Sequence, residues 1–248
     1  VPAEPAAEPP ADSTAESTLQ NARAQLAALA QANHASSRAH APGEARPAAV
    51  LILFGVLDRL PSEHEAQAAA VPRDLDLLLL ERATTLRSHP GQVAFPGGRL
   101  DPRDDGPVAA ALREAHEETG LDPAGVEVLG TLENIWLEYS QHLVTPVLAW
   151  WRHPSPVRVV DERESAAVFR APVADLLDPA NRGVTVIRRD GQEWRGPGFL
   201  VHGEHGDHLV WGFTGLVLEG LFDRLGWTEP WDDTRELPLE LPDIEPEV

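Results

Sequence analysis

The chain has 248 residues with 40 acidic and 20 basic side chains, for a formal net charge of −20. That balance argues against a nucleic-acid groove or an anionic-membrane surface, both of which need clustered cations. With no cysteine there is no disulfide, thiolate nucleophile or Cys-ligated metal.

The length suits one domain with extensions. No apolar run approaches the ~20 residues of a membrane span and no basic-then-apolar leader opens the chain, so a cytoplasmic protein with no membrane and no nucleic-acid partner is expected. The chain lacks Met and Lys and begins at Val1, which reads as a fragment or an edited record.

Residues 1–46 form an Ala/Pro-rich extension, of which 1–14 are expected to be disordered. Leu19, Leu26 and Leu29 allow one short amphipathic helix within 18–33, with little to bury. The domain itself is expected over 47–227. Short apolar runs predict strands over 49–57, 75–80 and 92–95, the last cut off by the turn Pro96-Gly97-Gly98. Pro107 opens and Gly120 stops a predicted helix over 108–119. Further strands are expected over 126–132, 143–151, 184–188, 199–201 and 209–211, with helices over 173–177 and 214–225. This irregular alternation fits an α/β fold in which a mixed sheet is sandwiched by a few helices. Residues 228–248 carry eight acids against the single Arg235 and read as a solvated acidic tail.

The chemistry concentrates in Gly97-Gly98-Arg99-Leu100-Asp101, Asp104 and the run Arg113 to Leu121. At ~100° per helical residue Glu114, Glu117 and Glu118 share one face. Like charges so spaced repel, and a hard divalent cation such as Mg²⁺ or Mn²⁺ would reverse the sign. An ordinary acidic surface helix has the same spacing, and spacing alone leaves both readings open. Arg113 lies four residues before Glu117 and can pair with it or with an acid in the preceding loop. His202, His205 and His208 recur every third residue, but the intervening Gly203 and Gly206 favour a polar hairpin over a zinc site. The Trp residues, Trp150-Trp151 included, read as packing rather than as a stacking platform.

The segment resembles the Nudix box, G-x5-E-x7-R-E-U-x-E-E-x-G-U, where U is a bulky aliphatic residue. Its second half runs from Arg113 to Leu121, with a small Ala115 where a larger residue is usual. The first half departs: Asp104 stands where Glu is expected, and eight residues rather than seven separate it from Arg113. An expanded, Asp-containing first half is similar to the coenzyme A pyrophosphatase branch. Leu79-Leu80-Glu81-Arg82-Ala83, Leu86-Arg87 and His89 through Gly98 look like that branch's added motif. Val144-Thr145-Pro146-Val147 and Leu209 through Thr214 resemble its closing stretches.

The resemblance implies an α/β/α sandwich and hydrolysis of a nucleoside diphosphate derivative with Mg²⁺ or Mn²⁺. In that branch the substrate would be coenzyme A, cut to 3′,5′-ADP and 4′-phosphopantetheine. By position, Glu114, Glu117, Glu118 and the Gly97 carbonyl would hold the metal, and Arg113 would orient the carboxylates. The base would be Glu118 or, from a later loop, Glu164. Arg82, Arg87, His89 and Gly98 would contact the substrate, and a homodimer is the assembly to test for. Two other readings stay open: action on ADP-ribose or a dinucleotide, and a non-catalytic binding module, against which the three box glutamates argue.

Overall fold

The computed structural model describes residues 11–34, 45–56, 60–86, 89–189, 191–203 and 206–239. Its elements in chain order are helix α1 (Ala11–His34), strands β1 (Arg46–Gly55), β2 (Asp76–Arg82), β3 (Val93–Ala94) and β4 (Gly97–Arg99), and helix α2 (Pro107–Thr119). Strands β5 (Val126–Thr131), β6 (Ile135–Leu137), β7 (His142–Trp151) and β8 (Ser165–Pro172) follow, then helix α3 (Val173–Leu177). Strands β9 (Arg182–Arg189), β10 (Gln192–Gly203) and β11 (Gly206–Val210) lead to helix α4 (Gly212–Leu225).

A run as continuously apolar as that of β1 makes sense only if both faces of the strand are covered. They are. Ala49, Leu51 and Leu53 pack with Leu78, Val147 and Ala149 against Ala110, Ala111 and Ala115 of α2. The alternate residues Ile52 and Phe54 join Leu77, Leu79 and Leu148 against α1 and α4. Period-two alternation thus sorts one strand into two cores. The sheet around β1 has eight strands. β1 runs parallel to β7 and antiparallel to β2 and β4, so the sheet is mixed, as the turn signals predict. A second, three-stranded antiparallel sheet joins β9, β10 and β11. The layering is the expected α/β/α sandwich.

Both ends of the chain depart from expectation. Helix α1 starts at Ala11 rather than near residue 18, inside the stretch expected to be disordered, and residues 1–10 lie outside the described residues. It has a great deal to bury: Ala22, Leu26 and Ala30 are at most 1% exposed. Their spacing of four residues makes one stripe, whose alanines add little to a hydrophobic pattern but permit close approach. Ala30 lies against Gly130 of β5, where an added Cβ would come within 3.0 Å of the Ala30 Cβ. Arg23 clasps Glu127 through Nε at 2.8 Å and through Nη2, and these bonds hold the Glu127 carboxyl down at about 2. Trp227 Nε1 donates to Gln25 Oε1 at 2.8 Å.

Over residues 228–239 the acidic tail is pinned at Glu229 and Leu237, while Asp232, Asp233 and Glu236 stay exposed as expected. Glu229 is 2% exposed and accepts from the Gln67 backbone N–H at 2.9 Å, with His64 Nε2 at 3.0 Å. Leu237 is buried over Gly183 and Gly198, and its N–H donates to the Val184 carbonyl at 2.9 Å. Residues 240–248 lie outside the described residues.

The histidine repeat is a hairpin. Val201 faces His208 and His202 faces Asp207 across β10–β11, so His202 and His208 point to opposite faces. His205 lies outside the described residues.

Leu26→Ala is expected to cost about 2–5 kcal/mol in a urea denaturation experiment, the range for a buried leucine. Ala28→Ser, on the exposed face of α1, should change stability by less than about 0.5 kcal/mol. Equal, near-zero effects would mean α1 does not belong to the core.

Candidate active site

The site begins at a tight approach between β4 and α2. β4 is seated on β1 with Gly97 opposite Val50 and Gly98 opposite Ala49. A Cβ at Gly97 would lie 2.4 Å from the Ala49 carbonyl oxygen, and one at Gly98 would lie 2.6 Å from Glu114 Cδ. No side chain fits at Gly97 without moving backbone, and one at Gly98 would have to displace the Glu114 carboxylate. The space so released admits two carboxylates: Glu114 lies on Gly98, and Glu118 Oε2 accepts from the Gly97 N–H at 2.9 Å. Helix α2 starts, as its sequence predicts, with Pro107 in its first turn and ends at Gly120, whose φ of 72° and N–H bond to the His116 carbonyl close it.

Arg113 binds the loop, the helix and the strand together. Its Nε and Nη2 donate to Asp104 Oδ1 and Oδ2 at 2.9 and 2.8 Å. Nη1 is shared between Glu114 and Glu117, both at 3.0 Å, and Nη2 also donates to the Arg99 carbonyl at 3.1 Å. Asp104 accepts in turn from the Asp101 N–H at 2.7 Å. The displaced acid of the box therefore anchors Arg113 and closes its own loop, a role that the sequence leaves open. Its carboxyl is held below the usual range by those same two donors, Arg113 first.

The three helix carboxylates are not equivalent. Burial pushes Glu118 up to about 7; Glu114 and Glu164 push the same way, while the Gly97 N–H and Arg82 oppose. Glu114 is raised by burial, against Arg113. Glu117 is 55% exposed and turns toward Arg113. Among the described residues, no three His, Asp or Glu side chains already stand grouped as a metal cage. The donor chemistry nevertheless fits a hard cation. Glu114 and Glu118 are adjacent, mutually repelling oxygen donors in low dielectric, and one backbone N–H does not neutralise a buried carboxylate.

Strand pairing brings Glu164 to the same place. β8 pairs with β2 so that Arg82 faces Ser165, and the Ala83 N–H donates to the Glu164 carbonyl at 2.9 Å. Glu118 feels the charge of both Arg82 and the exposed Glu164. His89 stands apart from the carboxylates, exposed, with φ 54° and its Nδ1 3.0 Å from Gln92 Oε1. Its loop is tied at both ends to Arg82, through the Gln92 carbonyl at 3.0 Å and the Gly91 N–H at 3.1 Å. Arg87 lies outside the described residues. The Arg99 backbone carbonyl, which Arg113 also grips, leaves no mark in a residue pattern.

No described helix is long and apolar enough to cross a membrane. A family model described as "NUDIX domain" matches residues 63–190. The chain is 35% identical over 176 residues to a protein named "Uncharacterized Nudix hydrolase NudL" from Shigella flexneri, covering 69% of this chain and 88% of that one. It is 37% identical over 174 residues to the protein of the same name from Escherichia coli (strain K12 / DH10B), covering 68% and 88%. Among solved structures it is similar to a MutT/nudix family protein from Enterococcus faecalis at 15% identity and a TM-score of 0.44, over 90% of this chain and 76% of that one. The box residues seated on Gly97-Gly98 are thus those of a known lineage: the chain belongs to the Nudix family and is a Nudix hydrolase, an enzyme of the class that acts on nucleoside diphosphate derivatives with divalent metal ions.

Proposed function

We propose that the protein hydrolyses the diphosphate of coenzyme A or its acyl and oxidised derivatives, giving 3′,5′-ADP and 4′-phosphopantetheine. The observation that carries this reading is the junction between the upstream motif and the box. Arg82 lies within electrostatic reach of Glu118, its backbone is bonded to Gly91 and Gln92 of the same motif, and the motif's last two glycines meet the box carboxylates.

In this reading Glu114, Glu117, Glu118 and the Gly97 carbonyl hold Mg²⁺ or Mn²⁺, and Arg113 keeps the carboxylates in register. A divalent ion bound there neutralises diphosphate oxygens and lowers the pKa of a water. Glu164, exposed at the mouth of the site, accepts the proton of the attacking water, with Glu118 as the second candidate base. Arg82, beside the carboxylates, supplies a guanidinium to the scissile diphosphate. Gly98 offers a backbone without a side chain along which the diphosphate can lie. Arg87 and His89, from the same motif, complete the substrate contacts. Water adds across one P–O–P bridge, so one diphosphate becomes two phosphomonoesters.

Product analysis by mass spectrometry tests the substrate. With Mg²⁺ or Mn²⁺, coenzyme A should yield 3′,5′-ADP and phosphopantetheine faster than dephospho-coenzyme A, ADP-ribose or NADH is cut. Preferential cleavage of ADP-ribose or NADH would replace the coenzyme A reading, and no cleavage at all would leave a binding module.

Glu118→Gln should lower turnover by about 10²-fold or more while the fold is retained. The same variant has a signature in stability. Between about 4.5 and about 7 the native carboxyl keeps a proton that the unfolded chain has lost, so metal-free protein loses stability as pH rises through that window. The loss is about 3 kcal/mol, and Glu118→Gln should remove that component from a denaturant series run in chelator. An unchanged slope would mean Glu118 titrates normally.

Arg113→Lys keeps the charge but cannot span Asp104, both glutamates and the Arg99 carbonyl. Activity should fall about 10–100-fold with little loss of stability, as for groups that orient metal ligands. Wild-type activity in this variant would reduce Arg113 to a surface charge.

A further inference from the structure

Away from the carboxylates, the ends of three strands gather basic side chains. Arg46 opens β1, Arg99 closes β4 and His142 opens β7. Arg46 lies opposite His142 in the parallel β1–β7 pair, and Ala48 lies opposite Arg99 in the antiparallel β1–β4 pair. Residues two apart along a strand share a face, so Arg46, Arg99 and His142 project together from the side opposite α2. Arg99 Nε donates to His142 Nε2 at 3.3 Å. His142 is held below its usual pKa by burial first, then by Arg99 and Arg46, with His89 adding to the effect from the neighbouring loop.

The acids of the neighbouring box are already engaged. Asp101 pairs with Arg103, and Asp104, Glu114 and Glu117 all pair with Arg113. Among the described residues neither Arg46 nor Arg99 is ion-paired with a carboxylate. Two exposed guanidiniums without an acid are conspicuous in a chain with twice as many acids as bases. The cluster is also close to the chemistry. Arg99 lies two residues, about 7 Å of strand, from the Gly97 N–H that meets Glu118, and its carbonyl accepts from Arg113.

We propose that Arg46 and Arg99, with His142 beside them and His89 at the rim, form a subsite for a phosphomonoester carried by the substrate away from its scissile diphosphate. This rests on the reaction proposed above and narrows its substrate class to nucleotides with a second, terminal phosphate. A dianionic phosphate suits two guanidiniums, each presenting paired N–H donors, where a ribose hydroxyl would leave the two cations uncompensated. It also divides the labour among the arginines. Arg82 serves the diphosphate, and the strand-end cluster reads the extra phosphate.

Calorimetric titration of the full chain with adenosine 3′,5′-bisphosphate and with adenosine 5′-monophosphate tests the subsite. The wild-type protein should prefer the bisphosphate by about 10-fold or more, the value of a charge-assisted pair of hydrogen bonds. Combining Arg46→Ala and Arg99→Ala should bring that ratio to near one, while Arg103→Ala, which removes the same charge nearby, should preserve it. A ratio near one in the wild type, or one that the double substitution leaves intact, overturns the subsite. Cleavage assays separate this outcome from the reaction itself. Bisphosphate binding through these arginines without cleavage of coenzyme A would refute the substrate and keep the subsite. Cleavage of coenzyme A with undiminished discrimination against dephospho-coenzyme A in the double variant would refute the subsite and keep the substrate.

Discussion

The site depends on one steric fact, the absence of two β-carbons. Gly97 lets β4 lie on β1 at a distance no side chain would allow and gives its N–H to Glu118, and the space beside Gly98 is filled by the Glu114 carboxylate. Any larger residue at 98 would have to displace a carboxylate, and any at 97 would have to push β4 away from β1. The turn therefore does more than bend the chain. It sets how far each acid is drawn out of water, and burial is the largest reason that both carboxyls titrate above their usual range.

A cluster of partly buried, repelling acids is unstable unless something opposes it, and the chain opposes it with geometry as well as charge. Arg113 touches two of the helix acids, Glu114 and Glu117, with a fork that also grips Asp104 and the Arg99 carbonyl. A lysine could match the charge but not four directions at once. Glu118 receives no such partner within bonding distance; it has the Gly97 N–H and the more distant field of Arg82. The acid left least compensated is thus the one deepest against the turn, where a bound cation would contribute most.

What could be read in the sequence was what is local. The Pro107 and Gly120 ends of α2, the strand-length apolar runs and the box itself are all contained within a few residues of one another. The rest was hidden because it depends on distant pairing or on side chains that carry no pattern. Glu164 reaches the site because β8 happens to pair with β2 in one register. Asp104 was visible, but its grip on Arg113 required the loop's actual path. The role of α1 was concealed by its composition, since Ala22 and Ala30 bury as completely as Leu26 yet weigh little in any periodicity. The tail misled in the other direction: its charge density suggested solvation, although Glu229 and Leu237 are among the buried residues.

The extensions and the site are coupled through β1. That strand lies outside residues 63–190, the stretch that matches the family model, yet it supplies the backbone on which β4 and β7 are both laid. Its α2-facing residues support that helix, and its other face is closed by α1 and by Trp227, which meets Phe54 edge-on at 6.3 Å between ring centroids. Exposing that second face would leave β1 apolar to water on one side, and the strand that seats Gly97 and Gly98 would lose its footing. The segments least like a family domain for this reason help to hold the carboxylates at their distance. The geometry of a site whose every contact is polar rests on a layer of alanine, leucine and tryptophan on the far side of the sheet.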